Sequence, residues 1–136
     1  VGGGNTLKMM RRWRKLGVDQ FLERAYHKGA VLSGISAGAI CWFVYGHSDS
    51  QQFYHPNQWE YIRVRGLGLV DAIFCPHLNA DGRRPSFGEF IGKYSHVGVG
   101  VEPRCHRDHR RNLSHHHLER GRQSMQILPP AGQGDC

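Results

Sequence analysis

The chain has 136 residues, 39% hydrophobic and 21% charged, which is the size and composition of one globular domain and excludes fibrous and disordered classes. It contains no apolar run long enough to span a bilayer and no signal-peptide pattern, which argues against membrane-spanning and secreted classes. The net charge of +7 points, at this level, to an acidic partner such as nucleic acid.

In chain order, Gly2-Gly3-Gly4 leads into Asn5 and Thr6, either of which can cap a helix. Leu7, Met10, Trp13 and Leu16 recur about one turn apart and predict that helix up to Gly17. A second helix is predicted from Asp19 to near Gly29, burying Phe21, Leu22 and Ala25. Ala30-Val31-Leu32 reads as a short buried strand. After Ser33-Gly34-Ile35-Ser36-Ala37-Gly38 comes a predicted small-residue helix over 39–44. Residues 46–59 are polar and aromatic without a clear period and read as a loop. Strands are predicted over Tyr61–Val64, Leu67–Cys75 and Val97–Val101, with a helix over Pro85–Tyr94. Strands alternating with helices predict an α/β fold around a mostly parallel sheet.

The charge is uneven. Residues 1–102 hold 12 Lys and Arg against 8 Asp and Glu, whereas residues 103–136 hold 6 against 3 together with five of the ten histidines. This break predicts a boundary near Pro103. It also assigns +3 of the charge to the tail, and the remaining +4 is ordinary for a soluble enzyme, so no nucleic-acid partner is expected. Arg11, Arg12, Arg14 and Lys15 then read as a solvated helix face. Of Cys41, Cys75, Cys105 and Cys136, none forms a C-x-x-C pair, and the first two lie in apolar stretches. They are expected to be buried free thiols in a reducing, cytoplasmic setting.

The strongest chemical signal is Gly34-Ile35-Ser36-Ala37-Gly38, a G-x-S-x-G sequence between a predicted strand and a predicted helix. In that context small residues let the chain turn sharply, so that Ser36 protrudes as a nucleophile and the Ala37 N–H can bind an oxyanion. A serine hydroxyl needs a base at neutral pH. His77, behind Pro76 at the end of a predicted strand, is the best placed of His27, His47, His55, His77 and His96. The glycine run at 2–4 lacks the lysine of a P-loop, and a turn whose free amides complete an oxyanion hole fits it better. Arg63, Arg65, Arg83 and Arg84 are candidates to attract an acidic substrate group, while Trp59 and Tyr61 read as core or rim.

Gly2-Gly3-Gly4-Asn5-Thr6, Gly34-Ile35-Ser36-Ala37-Gly38 and Cys75-Pro76-His77-Leu78-Asn79, in this order and spacing, resemble the peptidase E (aspartyl dipeptidase) and cyanophycinase family of serine peptidases, peptidase family S51. The resemblance covers about residues 1–102. It implies a three-layer, mostly parallel α/β sheet with flanking helices, similar to class I glutamine amidotransferases and flavodoxin-like in type. Those enzymes carry cysteine at the elbow, and Ser36 places this chain in the peptidase branch. The resemblance further implies a cytoplasmic serine peptidase or amidase that hydrolyses a small peptide or amide through an acyl-enzyme. Ser36 is then the nucleophile, His77 the general base, and the amides of Gly3, Gly4 and Ala37 the oxyanion hole. The third residue is a carboxylate, with Glu102 as first choice and Asp49 as the alternative. Neither a metal nor an organic cofactor is implied. The competing expectation is a non-catalytic amidotransferase-like binding module or an inactive remnant.

Family members carry strands and helices ahead of the Gly-Gly-Gly-Asn-Thr turn, so the resemblance implies that the chain is part of a larger domain, with little activity by itself. Cys105, His106, His109 and His115-His116-His117 lack regular ligand spacing, so no zinc site is expected. Codons for Asn112 to Gln126, with wobble bases chosen freely, read one nucleotide later as a string similar to the family's closing strand. The tail 103–136 is therefore expected to be out of frame or disordered.

Overall fold

The computed structural model describes residues 1–103 and 123–128. Asn5 opens helix α1 (Thr6–Leu16) by accepting the Lys8 N–H at 2.9 Å, and Gly17 in the left-handed region closes it. The exposed Arg14 guanidinium donates to the carbonyls of Arg65 and Gly66 at 2.8 and 3.2 Å. Helix α2 (Val18–His27) packs against the flank of α1. No residue of α2 is buried. Leu22 reaches the cluster around Met10 and Trp42, but Phe21 is 65% exposed, which corrects its assignment to the core.

Two further expectations are corrected. Ala30-Val31-Leu32 forms no strand, and Val31 is 94% exposed. A strand needs a ladder, and here Ala30 N–H bonds back to Ala25 O at 3.0 Å, while just beyond the segment the Val1 ammonium donates to Ser33 O at 2.8 Å and the Val1 carbonyl accepts from Ile35 N–H at 3.0 Å. The helix predicted over 39–44 is one turn, α3 (Ala37–Ile40), and Phe43–Ser48 is strand β1. The β-prone Phe43-Val44-Tyr45 run finds partners on both sides, and that pairing overrides the helical reading. The predicted 46–59 loop thus begins inside β1, and Ser50–Phe53 is a short 3₁₀ turn.

The other elements lie where expected: β2 (Ile62–Arg65), β3 (Val70–Cys75), α4 (Arg83–Ile91) and β4 (Gly98–Pro103). Residues Gln123–Leu128 add β5. The sheet order is β2-β1-β3-β4-β5, with β1, β3 and β4 mutually parallel and both edge pairs antiparallel. Tyr45 pairs with Ile73 and Phe74 with Val99. Alternation along β3 sends Ala72 and Phe74 to one face, against Ala39, Ile40, Val99 and Val101. Ile73 and Cys75 face the other way, onto Leu78 and onto Phe87 and Ile91 of α4. Helix, sheet and helix therefore form three layers. Pro103 is the last residue of β4, and the expected tail features Cys105, His106, His109 and His115–His117 lie outside the described residues.

No helix among the described residues is long and apolar enough to cross a membrane. Cys41 and Cys75 are buried and free, as their apolar contexts predict.

Candidate active site

Parallel strands deliver their carboxyl ends to one edge of the sheet, and the candidate residues gather there. Asp49 follows β1, His77 follows β3 after Pro76, and Glu102 lies near the end of β4. Ser36 reaches the same edge from the turn before α3. That turn has the geometry of a nucleophile elbow, with Ser36 at φ 54° and ψ −115°. Its two glycines are required by close approach: a Cβ on Gly34 would lie 2.0 Å from Gly38 O, and one on Gly38 would lie 2.3 Å from Val1 O.

The structure brings Ser36 and His77 together. His77 Nε2 lies 2.9 Å from Ser36 Oγ, and both side chains are half-buried. His77 also has a positive φ, 53°, and is held there by the following residue, since Leu78 is fully buried and donates its N–H to Val101 O at 2.9 Å. Gly3 runs beside the serine, where a Cβ on it would sit 3.4 Å from Ser36 Cβ. Gly4 lies in the same turn with φ 139°, and Ala37 opens α3, so its N–H belongs to a helical first turn without intrahelical partners. The two carboxylate candidates are placed differently. Glu102 is engaged by the Arg84 guanidinium. Asp49 pairs with Arg83, Nη1 to Oδ2 at 3.3 Å, and its charge reaches His77.

Burial holds the His77 imidazole below its ordinary titration range, Arg83 pushes the same way, and Asp49 opposes both. Behind His77, His47 is fully buried and pushed down to about 3, first by burial and then by Arg83. It is neutral, with Nε2 3.1 Å from Ser86 Oγ and Nδ1 3.5 Å from Cys75 Sγ. Burial lifts the Cys75 thiol to about 11 and the Cys41 thiol to about 12, so both stay protonated and unreactive near neutral pH.

Three of the four arginine candidates, Arg63, Arg83 and Arg84, are already engaged. Arg83 holds Asp49, and the Arg63 guanidinium lies 4.6 and 4.7 Å from the Tyr45 and Tyr94 ring centres. Tyr61 stacks on His47 at 4.3 Å, with Trp59 against its edge, as core-and-rim residues. Sequence reasoning missed His47 and the buried role of Arg83. The signal for His47 was the aromatic and small-residue run 43–48, which continues a strand into what reads as a loop. Among the described residues no group of three or more His, Cys, Asp or Glu side chains could hold a metal ion.

A parallel-centred α/β sheet with a serine turn at its carboxyl edge fits a class I glutamine amidotransferase-like architecture, and a family match assigns it. The sequence profile described as Peptidase family S51 matches residues 1–106, and the chain belongs to that family. It is 39% identical over 92 residues to a Bacillus subtilis (strain 168) protein named "Uncharacterized peptidase YgaJ". The match covers 67% of this chain and 37% of that relative, so the chain spans well under half the length of the curated relative it matches.

Proposed function

We propose that this chain carries the nucleophile, base and oxyanion-binding turn of a serine-type peptidase or amidase that hydrolyses a small peptide or amide through an acyl-enzyme on Ser36. The observation that carries the reading is the 2.9 Å contact between His77 Nε2 and Ser36 Oγ at a strained elbow. His77 takes the hydroxyl proton as Ser36 attacks the carbonyl, then returns it to the leaving amine. The amides of Ala37, Gly3 and Gly4 hold the developing oxyanion, an assignment supported by how closely the Gly3 backbone approaches the serine. Of the two carboxylates weighed for the third role, each is held by an arginine, Asp49 by Arg83 and Glu102 by Arg84, and the charge of Asp49 on His77 favours Asp49. Water then attacks the acyl-enzyme with His77 again as base.

A fluorophosphonate probe tests this in the full-length protein. Ser36 is expected to take the label, Ser36→Ala to abolish it, and His77→Ala to slow labelling by about a thousandfold. An unlabelled Ser36 in the folded, full-length protein overturns the hydrolase reading and favours a binding module.

A further inference from the structure

We propose that Arg83 is a positioning residue for the Ser36–His77 pair, tying the end of β1 and its Asp49 carboxylate to the start of α4, which the Ala80 turn joins to His77 by the bonds Ala80 N–H to His77 O at 2.9 Å and Arg83 N–H to Ala80 O at 3.0 Å. The inference rests on the hydrolase reading above.

Arg83 is 2% exposed and is the first residue of α4. Phe87 and Ile91 of that helix are buried against Ile73 and Cys75, so the arginine projects from an anchored base. Its Nη2 donates to His47 O at 2.8 Å, and its Nη1 donates to Asp49 Oδ2 at 3.3 Å. Its guanidinium carbon lies 4.9 Å from the centre of the Tyr61 ring, which itself stacks on His47. One turn along α4, Ser86 meets the ring of the same histidine. Helix α4 therefore grips the end of β1 at three points: the His47 carbonyl, the His47 ring and the Asp49 carboxylate.

The geometry calls for arginine. Two diverging N–H groups of a rigid fork reach acceptors on residues two apart, whereas one ammonium cannot hold both in the same arrangement. Burying the cation is compensated by a carboxylate and a carbonyl together. The pairing also sets the field at His77. Among the described residues the charged groups acting on it are Arg83 from α4 and Asp49 from the end of β1, with opposite sign, and the elbow contributes the neutral Ser36. Paired, the two charges act on His77 in opposite senses, and burial favours the neutral imidazole, which is able to accept a proton. Without Arg83, Asp49 stands uncompensated, His77 protonates at higher pH, and less of the base is available in mildly acidic solution.

The test follows two readouts in the full-length protein: the NMR titration of ¹³C-labelled His77, and the pH profile of fluorophosphonate labelling at Ser36. Arg83→Met is expected to move the titration and the acidic limb of labelling upward, slowing labelling about tenfold at pH 6 and much less at pH 8. Asp49→Asn is expected to move both downward, and adding it to Arg83→Met to bring the titration back. Arg83→Lys keeps the charge and is expected to restore the limb. A folded Arg83→Met variant whose limb is unchanged, or whose rate falls equally at all pH values, overturns the proposal, because a merely structural role gives that pattern. Should Arg83→Met fail to fold, an Asp49→Asn variant whose titration does not fall overturns it instead. These outcomes all presuppose labelling of the unsubstituted protein, whose absence counts against the hydrolase reading and not against Arg83.

Discussion

Ser36 holds a backbone conformation that costs a non-glycine residue about 1–3 kcal/mol, and His77 holds a second positive φ across from it. Both are tied down by neighbours rather than by their own side chains. Gly34 and Gly38 leave room for crossing backbone beside the serine, and the buried Leu78 anchors the histidine. The strain aims both side chains at the same point above the sheet. The electrostatics of that point give a prediction at this scale. His77 accepts a proton only when neutral, and burial and Arg83 hold it below its ordinary 6.5. Labelling of Ser36 should therefore fall as pH falls, with its midpoint below 6.5, and a midpoint above that value contradicts the assignment. The closeness of Ser36, His77 and the glycine turn was foreshadowed in the sequence because each sits in a short motif at the end of a predicted element. The third residue was not, because carboxylates on separate strand ends compete and no local pattern ranks them.

Helix α1 shows how an element sets the site. Its cap, Asn5, accepts from Lys8 N–H and also donates through Nδ2 to Ser50 O at 3.1 Å, fixing the Gly2–Gly4 turn to the 3₁₀ segment after β1. Ser50 Oγ in turn accepts the Leu7 N–H at 3.1 Å and lies 2.7 Å from Ser48 Oγ. Asn5→Ala removes both Asn5 bonds and should lower the unfolding free energy by about 1–2 kcal/mol in urea titration. Asn5→Asp keeps the cap and loses only the donor to Ser50, so it should cost less. The ends of α1 were readable because capping chemistry is local. The short α3 and the strand after it were not, since Phe43-Val44-Tyr45 suits a buried helix or a buried strand, and the flanking β2 and β3 make the choice.

At the scale of the molecule, the buried polar knot between β1 and α4 couples stability to pH. His47 is enclosed by Cys75, Ser86, Tyr61, Phe87 and Phe90 with Arg83 nearby, an environment that excludes a second cation. Its folded value of about 3 lies below its ordinary 6.5, so the unfolded chain binds the proton first. The stability His47 contributes is present above pH 6.5 and is lost as pH falls from 6.5 towards 3. At pH 5 that loss should be about 2 kcal/mol by denaturant unfolding, and His47→Gln should flatten the profile. A wild-type profile that is flat over this range contradicts the buried neutral assignment.

By itself the sequence determined the order of the three motifs, most helix ends and the alternation that implies an α/β sheet. These follow from capping, periodicity and turn chemistry, which act over a few residues. Tertiary structure alone decided that Phe43–Ser48 is a strand, that Val31 and Phe21 stay outside the core, and that Arg83 turns inward to Asp49 instead of outward to an acidic ligand. Each of those outcomes depends on what lies across the sheet or on the far side of a helix. Burial and pairing between distant residues set the energy there, and no local pattern along the chain records them.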